Sequence, residues 1–196
     1  MTVQDPDIFI FNDTEYQTSG IGEQMEIELN MFGLKPVGTC TACWCGYQAV
    51  YALSGSQLIL DSLDVELYAD KDINRPQVGP VVKGVSPSGP NDDEDDWFNN
   101  HYKGLNHHLN YTGSMLLTEG LIDGLCAITE FNPPWKFKHA IELVFVDGIL
   151  QEVIDRSQEM AEDREKEIMA FASKGFPESV SQETKDLVKR LFASLQ

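Results

Sequence analysis

Alternating apolar and polar positions are the main structural signal in the first half of the sequence. The apolar run Ile8–Phe11 ends at a turn signal, which predicts an opening strand. Apolar residues alternate with other residues over 47–53, and Ser-Gly-Ser at 54–56 separates them from a second apolar run at 57–60. This pattern predicts a β-hairpin, with a bulge or bend near Asp61.

The second half contains the clearest hairpin signal and then a change of period. Two strand-like runs, 140–146 and 149–154, flank Asp147-Gly148, a pair that favours a type I′ turn. After this hairpin the apolar period changes from two to about 3.6, which is helical spacing. One helix is predicted over 157–173 and a second from near Ser179. We therefore expect an α+β fold, a mainly antiparallel twisted sheet with two C-terminal helices.

The apolar pattern fades between Asp70 and His101, where prolines and a run of five acids at 92–96 occur. Like charges beside prolines do not bury apolar surface, so the pattern predicts a long, partly mobile loop. The expected organisation is a β-rich domain over 1–155, with this acidic loop near 70–100, and a C-terminal helical segment over 156–196 packed on it.

The charge of the chain is strongly and unevenly negative. Among 196 residues, 32 are Asp or Glu and 14 are Lys or Arg, so the net charge is −18. Residues 1–70 contain eleven acidic residues and one basic residue, Lys35. Such a charge repels nucleic acid and anionic membranes, and it speeds encounter with a basic protein. We expect a basic protein partner and neither nucleic acid nor a membrane; the alternative is that the charge only maintains solubility.

Two further features predict a cytoplasmic location. Nothing approaches the roughly 18 to 20 uninterrupted apolar residues of a membrane span, and the first 13 residues lack a secretion signal. Three of the four cysteines lie within six residues, which is unlike a disulfide framework. Reduced thiols are therefore expected, and the oligomeric state is left open.

The spacing Cys40-x-x-Cys43-x-Cys45 is the pattern in this sequence that most resembles a metal or redox site. Zinc takes four thiolate or imidazole ligands, and a Cys-x-x-Cys pair supplies two of them. The candidate metal ligands are Cys40, Cys43, Cys45 and His108, with another histidine or Cys126 as substitutes. The other interpretations are a redox pair and thiols packed as small apolar side chains.

Five aromatic residues form the candidate binding set: Trp44, Tyr47, Tyr51, Tyr111 and Trp135. If the two halves of the sheet pair, these side chains can line one cleft that suits a small ligand or a partner's side chain. Core packing is the alternative.

Two stretches carry a resemblance. Residues 41–49 contain Trp44-Cys45-Gly46-Tyr47 and run into 56–60, and residues 111–117 run into 145–150. They resemble an uncharacterised family of small bacterial proteins in which a Trp-x-Gly-Tyr strand precedes a hairpin, and an aromatic-Gly strand later precedes a final hairpin. The resemblance covers about half of the chain. It implies a compact β-rich body and an association with accessory or immunity-type proteins, without an established chemistry.

These observations favour a soluble, non-enzymatic bacterial binding protein of the accessory, immunity or inhibitor type, acting through an acidic surface and needing no cofactor. The alternative is a metal-binding protein or metal-dependent enzyme that holds zinc at Cys40, Cys43 and Cys45. No phosphate loop, nucleophile elbow or zinc-protease motif occurs in the sequence.

Overall fold

The computed structural model of the chain describes residues 4–19, 27–90, 96–123, 125, 132–175, 182, 185, 186 and 188–190. Within them the strands are β1 (Ile8–Phe11), β2 (Thr14–Thr18), β3 (Tyr47–Ser54), β4 (Gln57–Val65), β5 (Asn100–Tyr102), β6 (His107–His108), β7 (Gly113–Leu121), β8 (Phe137–Val146) and β9 (Ile149–Asp155). A helix, α1 (Ser157–Lys174), follows β9, and 3₁₀ helices cover Leu29–Phe32, Ala69–Lys71 and Pro134–Lys136.

Seven of the strands form a closed barrel. The order around the ring is β3, β1, β2, β7, β8, β9, β4 and back to β3, while β5 and β6 both add to β4. The β1–β3 pair is parallel and the other pairs are antiparallel. The ring closes between β9 and β4, where Gln57 lies opposite Ile149. The Gln57 Nε2 atom reinforces this contact by donating to the carbonyls of Leu109 at 3.0 Å and Gly148 at 3.1 Å.

The expected α+β fold, a twisted sheet with two C-terminal helices, is wrong. The protein is mostly β, because β1 inserts between β2 and β3 and the sheet closes on itself. The parallel contact Ile8↔Val50 makes this closure possible, and alternation within either strand does not reveal it. One helix, α1, has both of its ends in the described part of the chain. The predicted second helix, from Ser179, falls mostly outside the described residues.

Both predicted hairpins are confirmed. Asp147 and Gly148 join β8 to β9 with φ angles of 50° and 77°, as a type I′ turn requires. In the β3–β4 hairpin the register changes between Val50↔Ser62 and Tyr51↔Leu60, so Asp61 is the extra residue of a β-bulge. The bulge lies where the sequence placed a bend.

Side chains at alternate positions of the strands fill the interior of the barrel. Ala49 and Tyr51 on β3 are buried, whereas Val50 and Ala52, which alternate with them, are partly exposed. The largest fully buried apolar side chains of this core are Phe9, Leu34, Tyr51, Leu58, Leu60, Leu63, Tyr102, Leu117, Leu143 and Phe145. Burial of each large side chain of this kind contributes about 1.5–3 kcal/mol.

The long connection between β4 and β5 is attached to the barrel by side chains of β5. Asn100 donates to the Gln77 carbonyl at 2.9 Å and accepts the Gly79 N–H at 2.7 Å. The Tyr102 hydroxyl donates to the Pro80 carbonyl at 2.9 Å. Residues 91–95, which include most of the predicted acidic run, lie outside the described part.

Helix α1 packs against β8 and the 3₁₀ helix before it. The Arg164 guanidinium donates to the carbonyls of Trp135 and Phe137. A second, smaller core contains Leu125, Ile168 and Val188. None of the described helices combines the length and the apolarity that crossing a membrane requires.

Candidate functional site

The three candidate cysteines lie in the segment immediately before β3, residues 38–46, which we call the cysteine loop. Glu66, just after β4, holds both ends of this loop through its main chain. Its carbonyl accepts the Val37 N–H at 3.0 Å, and its N–H donates to the Gly46 carbonyl at 2.8 Å. The loop therefore starts and ends against the same residue.

Two glycines allow the ends of the cysteine loop to approach one another. A Cβ atom on Gly38 would lie 2.3 Å from the Trp44 carbonyl oxygen, and one on Gly46 would lie 2.7 Å from the Gly38 nitrogen. Gly46 also has a φ of +72°, which other residues rarely adopt. The shape of the loop thus depends on both glycines.

The N-terminal segment fixes the outer side of the loop. The Gln4 amide donates to the Thr41 carbonyl at 2.7 Å and accepts the Trp44 N–H at 3.1 Å. The main-chain N–H of Asp5 donates to the Ala42 carbonyl at 2.7 Å. These hydrogen bonds attach the cysteine loop to the N-terminal segment as well as to Glu66.

A buried carboxylate supports the inner side of the loop. Glu66 is fully buried and accepts the Thr39 N–H at 2.9 Å and the Thr39 hydroxyl. Tyr68 donates its hydroxyl to the same carboxylate at 3.4 Å, and burial raises the pKa of Tyr68. These donors offset part of the cost of burying a carboxylate.

Cys43 and Cys45 form a thiol pair at the end of the loop. Their Sγ atoms are 3.7 Å apart, and both thiols contact the Tyr47 carbonyl, at 3.2 Å and 3.1 Å. Cys43 is buried and Cys45 is exposed. The hydrogen bond between the two thiols lowers the pKa of Cys45 to about 6 and raises that of Cys43. Cys40 lies apart from this hydrogen bond, and its Sγ accepts the Ala42 N–H at 3.3 Å.

Asp7 lies behind the thiol pair at the start of β1. Its carboxylate accepts the Ala49 N–H at 2.8 Å and the Tyr51 hydroxyl at 3.2 Å. Burial raises the pKa of both Asp7 and Tyr51, and the Asp7 charge opposes ionisation of Cys45. The site therefore places an acid, a phenol and two thiols close together.

A cleft of about 330 Å³ opens beside Cys45. Its lining residues are Ile27, Glu28, Leu29, Asn30, Leu34, Pro36, Cys45 and Tyr47. The 3₁₀ helix Leu29–Phe32 supplies part of one wall, and Gly33, with a φ of 73°, ends that helix. Next to the cleft in sequence, Met31 and Trp44 have exposed fractions of 62% and 61%. The volume lies at the lower end of the range for small-ligand sites, about 300–1,000 Å³.

The five candidate aromatic residues do not share this cleft. Tyr47 lines it and Trp44 precedes Cys45, whereas Tyr51 is buried inside the barrel. Tyr111 packs on Phe145 with a centroid distance of 6.1 Å, and Trp135 packs with the second core. Of the five, Tyr47 is the one that lines the cleft.

The predicted zinc ligands are not assembled either. His108 is in β6, opposite Ile59 of β4, whereas the cysteines precede β3. Among the described residues, no group of three or more His, Cys, Asp or Glu side chains has an arrangement that could hold a metal ion. Cys126 falls outside those residues.

Sequence reasoning missed that three of the acids are wholly or partly buried. Asp7 and Glu66 were counted as surface charge, as was Asp64, which meets His101 at 2.6 Å. Asp96 also contacts His101, through Nε2 at 3.1 Å. The positions of Asp7, Asp64 and Glu66, next to or within apolar strand segments, were the one available signal for burial.

No protein-family model, curated protein sequence or solved structure matches this chain. The resemblance to small bacterial β-rich proteins therefore stays a prediction.

Proposed function

We propose that this chain is a non-enzymatic binding protein of the bacterial accessory, immunity or inhibitor type, and that a basic segment of a partner protein binds at the cleft beside the cysteine loop. The observation that carries the proposal is a set of exposed acids in the described part of the N-terminal third that form no ion pair there. Acids left unpaired at a surface are available to a cationic partner.

Nine of the eleven acids in residues 1–70 lie in the described part of the chain, and they divide into two groups. Asp7, Asp61, Asp64 and Glu66 are wholly or partly buried and form hydrogen bonds with other groups of the protein. The exposed group consists of Asp5, Asp13, Glu15, Glu28 and Asp70. Within the described part of the chain, Asp70 pairs with Arg75 at 2.9 Å, and the other four form no ion pair.

The composition of the cleft supports a Lys or Arg side chain as its occupant. Glu28 supplies a carboxylate, Tyr47 supplies an aromatic ring, and Leu29, the residue after Glu28, supplies an apolar wall. Trp44 does not line the cleft but precedes the lining residue Cys45 in sequence, and its exposed indole offers a ring on which a cation stacks with about 0.5–2 kcal/mol. An aliphatic stem with a cationic end matches this combination.

We also propose a cytoplasmic location. The support is chemical: Cys40, Cys43 and Cys45 are all free thiols, and Cys43 and Cys45 lie 3.7 Å apart without a bond. Reducing compartments maintain thiols in that state.

Charge variants of the exposed acids test the binding proposal. Partners captured from the native host at low salt are identified and purified, and their association and dissociation rates are measured. We expect Glu28→Gln with Asp5→Asn to slow association several-fold, with a smaller change in dissociation, and the slowing to diminish as salt rises. Glu152→Gln with Glu167→Gln is the matched control, because these acids are also exposed and lie far along the chain.

Two results would contradict the proposal. One is equal slowing by the Glu28 and Asp5 variant and by the control variant, which would indicate a general effect of net charge. The other is the absence of any partner, with precipitation of the charge variants, which is what a role in solubility alone predicts. The metal-binding alternative has no supporting observation in the described residues, and the metal content of the purified protein tests it.

A further inference from the structure

The thiol pair has a geometry that the proposed binding function does not use. Cys45 is exposed at the rim of the cleft, while Cys43 is 2% exposed and its sulfur lies 3.7 Å away. We propose that this pair is a reactive dithiol that exchanges with small cationic disulfides. In this exchange Cys45 is the attacking thiol and Cys43 the resolving thiol.

Exposure and hydrogen bonding both assign the first step to Cys45. A disulfide from solution can reach Cys45 through the cleft, whereas Cys43 is covered. The thiolate is the nucleophile in exchange, and the Cys43 S–H stabilises a thiolate on Cys45. Burial and the Asp7 charge oppose this stabilisation, and the net effect still lowers the pKa of Cys45.

The second step belongs to Cys43 because it lies within van der Waals contact of the Cys45 sulfur. While Cys45 is ionised, its negative charge and the shared hydrogen bond disfavour ionisation of Cys43. A mixed disulfide on Cys45 removes both effects, so Cys43 ionises more readily after the first step than before it. The Gly46 N–H, which donates to the Cys43 carbonyl at 3.2 Å, fixes the backbone between the two thiols.

The exchange balances without any other reactant. The Cys45 thiolate attacks one sulfur of the disulfide, forms a mixed disulfide and releases the first small thiolate. Cys43 then attacks the Cys45 sulfur, forms the Cys43–Cys45 bond and releases the second. The protein loses two electrons and two protons, and the small disulfide gains both and leaves as two thiols. The two sulfur atoms must approach from 3.7 Å to the bonding distance of about 2.05 Å.

Charge selects the class of disulfide. Glu28 lines the cleft, Asp7 lies behind the thiols, and the whole chain has a net charge of −18. This field concentrates cations and repels anions, so a disulfide that carries amines reacts faster than one that carries carboxylates. The cleft volume of about 330 Å³ accommodates one half of such a molecule.

Cystamine, a diamine disulfide, is the probe, and dithiodipropionate, a dicarboxylate, is its anionic counterpart. After cystamine treatment, intact mass should show the loss of two hydrogens, and peptide mapping should locate one bond between Cys43 and Cys45. We expect cystamine to react at least tenfold faster than dithiodipropionate at low salt, and the ratio to fall as salt rises.

Single variants separate the two steps. Cys43→Ala should retain one cysteamine group on Cys45, and Cys43→Ser should do the same if the alanine variant does not fold. Cys45→Ala should react at least tenfold more slowly, and Cys40→Ala should behave as wild type. The proposal is overturned if wild type retains the adduct on Cys45, if the internal bond involves Cys40, if cystamine leaves the pair unmodified, or if the two disulfides react equally fast.

Discussion

His101 on β5 and Asp64 on β4 lie directly opposite each other in the sheet, and the Nδ1 atom of His101 is 2.6 Å from Oδ1 of Asp64. On the other side of the imidazole, the Nε2 atom of His101 lies 3.1 Å from Oδ2 of Asp96. The imidazole is 2% exposed, so it connects two carboxylates in a largely dry environment. This arrangement attaches the end of the long β4–β5 connection to the barrel.

Loss of this imidazole should destabilise the fold. In His101→Ala the two carboxylates lose their shared partner, and we expect the free energy of unfolding to fall by about 2–4 kcal/mol. Urea denaturation at neutral pH measures this change. His139→Ala is the control, because His139 is 61% exposed and lies 4.0 Å from Glu119; it should change stability by less than about 0.5 kcal/mol. Equal effects of the two variants would contradict the prediction.

The buried carboxyl of Asp7 should give stability a pH dependence of defined sign. Burial raises its pKa in the folded protein above 3.8, so the folded state binds the proton more tightly than the unfolded state. The stability gained from this tighter proton binding is fully present below the pKa of Asp7 in the unfolded chain. It is lost as pH rises through the higher pKa of Asp7 in the folded protein. Wild type should therefore gain stability relative to Asp7→Asn as pH falls from neutral toward 3.8. Denaturation curves of both proteins across this range measure the difference, which exposed Asp13→Asn should not reproduce.

Alkylation should report the ionisation of Cys45. With a pKa of about 6, Cys45 is half ionised near pH 6. Allowing for the lower nucleophilicity of a more acidic thiol, it should react on the order of tenfold faster there than an ordinary thiol of pKa near 8.5. Cys43→Ala should move the midpoint of the rate profile upward, and Cys43→Ser, which keeps a donor, should move it less. An unchanged midpoint in the alanine variant would show that Cys43 does not stabilise the thiolate.

Two hairpin glycines should differ in their tolerance of alanine. Gly148 has a φ of +77°, and a Cβ atom there would lie 2.0 Å from the Leu109 carbonyl oxygen. Gly55 has a φ of +65° with nothing within 4 Å of its Cβ position. Gly55→Ala should cost about 1–2 kcal/mol from backbone strain alone, and Gly148→Ala should cost more because the Leu109 segment must also shift. Thermal or urea unfolding compares them, and equal losses would refute the role of the contact.

Local features of the fold were predictable because they depend on neighbouring residues. The Asp147-Gly148 turn, the β3–β4 hairpin and helix α1 each follow from turn chemistry or periodicity within one short segment. Barrel closure depends on pairs such as Ile8 with Val50, which are far apart in sequence. Alternation indicates which side of a strand is buried, and it does not identify the neighbouring strand.

Of the residues in the candidate site, the sequence indicated the cysteines and Tyr47. The spacing of the thiols marked the loop, but it did not distinguish the pair Cys43 and Cys45 from Cys40. That distinction depends on hydrogen bonds to Tyr47 and on burial. The cleft was not predictable, because one of its walls comes from residues 27–36, whose apolar residues fit no single period.

The narrow contact between β4 and β9 has a consequence for how molecules of this protein meet. In the described part of the chain, no strand pairs with β9 on its β4 side beyond Ile149. Unpaired strand edges recruit strands of other molecules and start aggregation, and charged side chains on such an edge oppose this. Glu152 and Asp155 are exposed on β9, so two molecules that approach edge to edge bring carboxylates together. The acids of β9 therefore place like charges along this edge, which disfavours its pairing with the same edge of a second molecule.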